Sequence, residues 1–202
     1  MLIFSYETLI DPLLREIRGF TSEFSGMKPG DSVLDVCCGT GAQVLEYGRR
    51  GICAAGIDIS PSMLKVASRN TVKQKLTNVS FYLADATKLP FIDNCFDYAS
   101  VSLGLHDKDR LTRHRVVSEM VRIVNQEGTL IFVDYAVPMD KGILAKLSMA
   151  VEFLAGHKHY RGFKDYVAGG GLEDILKVHH LRKEDSVCLK GGLIIIIKAR
   201  IS

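Results

Sequence analysis

The chain has 202 residues, 47% hydrophobic and 24% charged, with a formal net charge of +3 at pH 7. That length fits one domain with a proper core, and the balance is ordinary for a globular protein. So slight a charge predicts no nucleic-acid partner, and the most apolar run, residues 193–197, is far short of the ~20 residues of a membrane helix.

The opening stretch MLIFSYETLIDP lacks a basic leader and carries Glu7 and Asp11 early, which reads against a signal peptide. The turn Lys28-Pro29-Gly30-Asp31 leads into a first strand, residues 33–36, and a helix is expected over 42–50 with Gly51 in the stop position. A second strand covers 52–57. Ser60-Pro61 then opens a helix, with serine as cap and proline at the first helical position.

A third strand is expected at 79–83, a fourth at 98–103, a basic amphipathic helix over 109–124, and a fifth strand at 129–134 after Gly128. Lys108, Arg110, Arg113, Arg115 and Arg122 read as the solvated face of that helix. After a helical segment at 171–178, two apolar stretches at 187–189 and 193–197 flank Lys190-Gly191-Gly192, a hairpin signal. Strands alternating with helices predict a single doubly wound, Rossmann-like α/β domain over residues 1–202, ending on an antiparallel pair.

In such a sheet, ligands bind beyond the carboxyl ends of the strands where their order reverses, just after the first strand. The sequence there is VLDVCCGTGAQV. Gly39 and Gly41 let the backbone turn tightly and approach a ligand. Val44 stands where a dinucleotide fingerprint has its third glycine, which argues against pyrophosphate.

Asp35 would repel phosphate and favour an ammonium group. Asp58, ending the second strand, is placed to accept hydrogen bonds from ribose hydroxyls, and Asp85-Ala86 to read an adenine amino group. Ammonium, ribose and adenine in that order describe S-adenosylmethionine.

VLDVCCGTG, GIDIS, LADATKLPF, FDYASVSLGLHD and GTLIFVDY, with the closing Gly-Gly hairpin, resemble the successive motifs of class I S-adenosylmethionine-dependent methyltransferases. His159-Tyr160-Arg161-Gly162-Phe163-Lys164-Asp165-Tyr166 resembles the HYR-x-F-x-x-Y of the small-molecule group around the ubiquinone/menaquinone biosynthesis enzymes. The resemblance implies a seven-stranded sheet, S-adenosylmethionine as cofactor, S-adenosylhomocysteine as product, and a small-molecule acceptor.

It further implies that Ile59 and Met63 line the adenine face, and that Ser102, Leu103 and His106 lie beside the methionine moiety and the acceptor. His106 is the candidate general base. Tyr6 would belong to an N-terminal lid, residues 1–27. Residues 137–171 would form a substrate cap offering His157, His159, Tyr160, Arg161 and Tyr166.

Cys37 takes the first glycine position of the family's D-x-G-x-G-x-G loop, and both loop cysteines read as packing residues rather than nucleophiles. Five cysteines without disulfide or zinc spacing point to reduced thiols and a cytoplasmic setting. His157 and His159 resemble a metal pair, but no third ligand is apparent and no metal is expected. Two other readings remain open: a protein that binds the cofactor without catalysis, and a nicotinamide-dependent oxidoreductase. An RNA methyltransferase is disfavoured, since no RNA-binding module or N-P-P-[YF] motif is visible.

Overall fold

The computed structural model describes the backbone of residues 3–138, 152–153 and 156–202, and the side chains of that set from residue 14 onward. Helix α1 (Ile3–Phe24) precedes β1 (Ser32–Val36), α2 (Ala42–Arg49), β2 (Cys53–Asp58), α3 (Pro61–Gln74) and β3 (Val79–Leu83). Then come β4 (Phe96–Ser102), α4 (Arg110–Ile123), β5 (Val124–Tyr135), α5 (His157–Ala168), α6 (Gly171–Val178), β6 (Leu181–Leu189) and β7 (Ile194–Ile201). The strands form one sheet in the order β3-β2-β1-β4-β5-β7-β6. β1 to β5 pair in parallel, and β7 runs antiparallel to both β5 and β6.

Strands covered on both faces must be apolar along their whole length. Val33, Leu34, Val36, Ala99, Val101 and the run Leu130–Val133 are accordingly buried. The order reverses between β1 and β4, so the loops following these two strands frame a crevice. Local chemistry sets the helix starts: Ser60 Oγ accepts from Met63 N at 3.4 Å ahead of Pro61, and Asp109 Oδ1 accepts from Thr112 N at 3.0 Å.

Three elements exceed what the sequence suggests. α1 is a 22-residue helix where only a lid segment was expected. α5 occupies part of the expected cap. β6 begins at Leu181, six residues ahead of the apolar stretch 187–189, because its first half is a charged, exposed sheet edge without alternating apolar positions.

One correction concerns α4. Arg113 does not belong to a solvated face, since it is 4% exposed. Its Nε donates to Leu105 O at 3.0 Å, and its Nη2 donates to Lys108 O at 2.8 Å and Gly162 O at 3.2 Å. The guanidinium also lies over the Tyr166 ring, 5.2 Å from the centroid. One side chain thereby ties the loop after β4 to α5. Arg113→Met should lower stability by about 2–4 kcal/mol, because buried carbonyls lose their donor. Arg113→Lys should not restore it, since an ammonium cannot span the same fork. Urea midpoints of the three proteins check this.

Candidate active site

The turn after β1 is built from left-handed backbone: Cys37 has φ 57°, Gly39 53° and Gly41 73°. Gly41 needs glycine on a second count, because a Cβ there would come within 2.5 Å of Phe81. Around Gly39 the space where a Cβ would point is open. The loop is held from β2: Asp58 Oδ2 accepts Gly39 N at 2.8 Å, and its Oδ1 accepts Ser60 N at 2.9 Å.

A cleft of about 190 Å³ opens beside this loop. Asp35, Cys37, Cys38, Gly39, Ser102 and Leu103 line it, and Leu14, Ile17 and Arg18 of α1 close it from the other side. Two buried acceptors in its lining, Ser102 Oγ and Gln43 Oε1, have no hydrogen-bond partner among the described residues. A bare backbone position and orphaned polar atoms on residues lining one crevice suit a polar ligand.

Asp35 is buried, with Ser100 Oγ donating to it at 2.6 Å. Burial pushes its carboxyl up to about 7, against the opposing pull of Ser100 and Arg18. Burial likewise raises both loop thiols, Cys37 to about 11, so neither is an activated nucleophile.

Ile59 and Met63 are exposed apolar side chains at the end of β2 and the start of α3. Asp85 is exposed and accepts Thr87 N and Thr87 Oγ1, both at 2.8 Å, while the Ala86 methyl packs into the main core. The side chain of Tyr6, and residues 139–151, 154 and 155 of the expected cap, lie outside the described residues.

The carboxyl ends of β4 and β5 carry a second, buried polar cluster. His106 Nδ1 lies 2.6 Å from Asp134 Oδ1, and its Nε2 lies 3.5 Å from Glu152 Oε1. Asp134 Oδ2 accepts the backbone N–H of Leu105 at 3.2 Å and of His106 at 3.3 Å. Glu152 accepts from Tyr135 OH at 2.9 Å and lies 2.8 Å from His159 Nδ1.

Burial works against charge on the His106 ring, but Asp134 and then Glu152 outweigh it and push its pKa up to about 10. His106, the expected general base, thus has both ring nitrogens turned to carboxylates, Asp134 and Glu152. Of the other cap residues, His159 joins this cluster, His157 is exposed, and Tyr160 packs on Phe153 at 5.5 Å between ring centroids. Tyr166 is a core residue rather than a cap contact: it is buried, with its hydroxyl donating to Tyr135 O at 2.9 Å.

Sequence reasoning missed Gln43, Arg18 and Glu152, which carry no local motif. Asp134 stood within GTLIFVDY as a strand end only.

A crevice at the β1–β4 reversal, a glycine turn pinned by the acidic end of β2, and an antiparallel β7 beside β5 define the class I S-adenosylmethionine-dependent methyltransferase architecture. Comparison with known proteins agrees. The ubiE/COQ5 methyltransferase family matches residues 12–154. The ubiquinone/menaquinone biosynthesis C-methyltransferase UbiE of Azotobacter vinelandii is 30% identical over 215 residues, covering 93% of this chain and 83% of that one. The demethylmenaquinone methyltransferase of Renibacterium salmoninarum is 33% identical over 124 residues, covering 61% of this chain and 49% of the relative. This chain thus spans about half the length of that second relative.

Among solved structures, a SAM-dependent methyltransferase from Aquifex aeolicus matches with TM-score 0.69 at 20% identity, covering 92% of this chain and 89% of that one. The [4+2]-cyclase SpnF matches with TM-score 0.72 at 18% identity, covering 93% and 80%. The chain belongs to the ubiE/COQ5 methyltransferase family. That membership sets aside the nicotinamide-dependent oxidoreductase. Among the described residues, no helix is long and apolar enough to cross a membrane.

The buried acid makes a stability prediction. The Asp35 carboxyl keeps its proton in the folded chain up to about pH 7, but releases it near 3.8 when unfolded. Between those values the folded chain binds more protons, so this group's contribution to stability declines as pH rises through that window. Asp35→Asn should match the wild type near pH 4 and exceed it at pH 8 by up to about 4 kcal/mol. Parallel pH profiles of the two urea midpoints would refute this.

Proposed function

We propose that this protein binds S-adenosylmethionine in the cleft between α1 and the β1 loop, and methylates a ring carbon of a small quinol-like acceptor. The observation that carries the cofactor reading is the open space at Gly39, flanked by the orphaned Ser102 Oγ and Gln43 Oε1. When bound, the cofactor supplies an activated methyl group on a sulfonium centre.

The chain's own residues position and shield that group. Asp35 faces the ammonium end, and an ammonium neighbour would draw its carboxyl toward the charged form. The free lone pairs of Asp58 accept ribose hydroxyls while the same carboxylate holds the loop. Exposed Ile59 and Met63 cover the adenine ring, with Asp85 and the backbone at Ala86 at its polar edge. Leu14 and Ile17 of α1 exclude water from the other side.

Holding the acceptor at attack distance contributes about 7–11 kcal/mol of barrier lowering in well-oriented systems. The acceptor class follows the C-methylation named for the Azotobacter relative. The second reading is cofactor binding without catalysis, since a fold alone does not decide chemistry.

Calorimetric titration with S-adenosylhomocysteine should give binding that weakens about 10–100-fold in Asp58→Ala, the value of losing charge-assisted hydrogen bonds. Asp58→Asn, which keeps one acceptor, should fall between the two. Methyl transfer to a demethylated quinol headgroup analogue, followed by mass spectrometry, then separates the readings. Tight binding with no product across ring-carbon acceptors would favour the non-catalytic one; no binding at all would overturn both.

A further inference from the structure

We infer that His106, Glu152 and His159 form a binding site for a divalent first-row transition ion of the zinc class. The arrangement has three parts. The ligand-capable atoms of these three residues lie within 4.8 Å of one another, the first two residues buried and the third partly so. Two imidazoles and one carboxylate are a common protein donor set of open zinc sites, which leave a coordination position for another ligand.

Both imidazoles are also oriented as metal-bound histidines are. His106 is anchored through Nδ1 on Asp134 at 2.6 Å, and its Nε2 is turned to Glu152. His159 is anchored through Nε2 on Asp107 Oδ2 at 3.1 Å, and its Nδ1 is turned to the same carboxylate. An outer carboxylate on the far nitrogen fixes the tautomer and raises the basicity of the ligating nitrogen. Here each ring has one, and the two inward nitrogens converge on Glu152.

The shell is of the right kind. The Tyr135, Phe163 and Tyr166 rings surround the His106 imidazole edge-on at 4.8, 6.2 and 6.5 Å, limiting solvent. Tyr135 OH donates to Glu152 Oε1 and fixes the carboxylate. Both carboxylates at His106, Asp134 and Glu152, are buried.

Nitrogen-rich donors suit zinc, cobalt and iron(II) over magnesium and calcium, which take oxygen. The site sits at the ends of β4 and β5, where Ser102, Leu103 and Val133 line the cofactor cleft. A bound ion there holds an oxygen of the acceptor beside the methyl group. That role rests on the methyltransferase reading above; ion binding itself does not.

Tag-free protein, stripped with chelator and re-equilibrated with Zn²⁺, should retain about one ion per chain by elemental analysis, as an open His₂Glu site would. Substitution with Co²⁺ should give visible ligand-field absorption, and a large excess of Mg²⁺ should not displace either ion. Glu152→Gln and His159→Ala should abolish uptake, and Asp134→Asn should weaken it about 10–100-fold, as loss of an outer partner does. His179→Ala should leave uptake intact; it disrupts the other histidine pair, His114–His179, whose ring nitrogens lie 3.0 Å apart.

Binding of S-adenosylhomocysteine, or an unchanged circular dichroism spectrum and urea midpoint, shows that each variant is folded. Folded wild-type protein without stoichiometric ion would overturn the inference. So would uptake unchanged in Glu152→Gln, uptake lost in His179→Ala, or equal displacement by Mg²⁺.

Discussion

The Asp58 carboxylate ties the turn after β1 to the end of β2 and the start of α3. One oxygen takes the amide of Gly39 in the turn after β1, and the other takes the amide of Ser60 at the start of α3. Of the three left-handed residues in this turn, Gly39 and Gly41 adopt that backbone freely and Cys37 alone is strained, and a charge-assisted acceptor beneath the turn helps hold it. The cleft follows from this pinning. With the turn fixed, the residues following β1 and β4 line the cleft, and Leu14, Ile17 and Arg18 of α1 close it from the other side.

The site is divided between two electrostatic environments. Around β1 and β2, Asp35 is a buried part of the cleft lining held near neutrality, and Asp58 is half-buried beneath the glycine turn. Around β4 and β5 the acids are buried too, but each is matched by an imidazole or a row of backbone amides. The first environment suits a ligand that brings its own positive charge. The second suits a group or ion that must be gripped from several sides. Their adjacency follows from strand order, since β4 lies between β1 and β5.

The legible part of the sequence was the part with local grammar. Gly39 and Gly41, the Ser60-Pro61 helix start and the Gly191-Gly192 hairpin each state a backbone conformation, and the buried strands state theirs by unbroken apolar runs. The resemblance to the class I methyltransferases rested on those stretches, and the family comparison bears it out. Less legible were elements defined by a distant partner. β6 looks like a polar loop because its charges belong to a sheet edge. Arg113 looks like a solvated residue because its acceptors come from residues 105, 108 and 162.

The histidines show the same division most sharply. His157 and His159 read as a pair by spacing, yet on α5 residues two apart point to different sides, and only His159 reaches the cluster. Its partners, His106 and Glu152, lie 53 and 7 residues away in the chain. The sequence by itself determined the strand–turn–helix that receives the cofactor, because backbone dihedrals and apolar periodicity are local properties. Only the tertiary structure decided which polar groups share a buried space and what charge each carries there, because proximity and desolvation are set by how the sheet and its helices close around them.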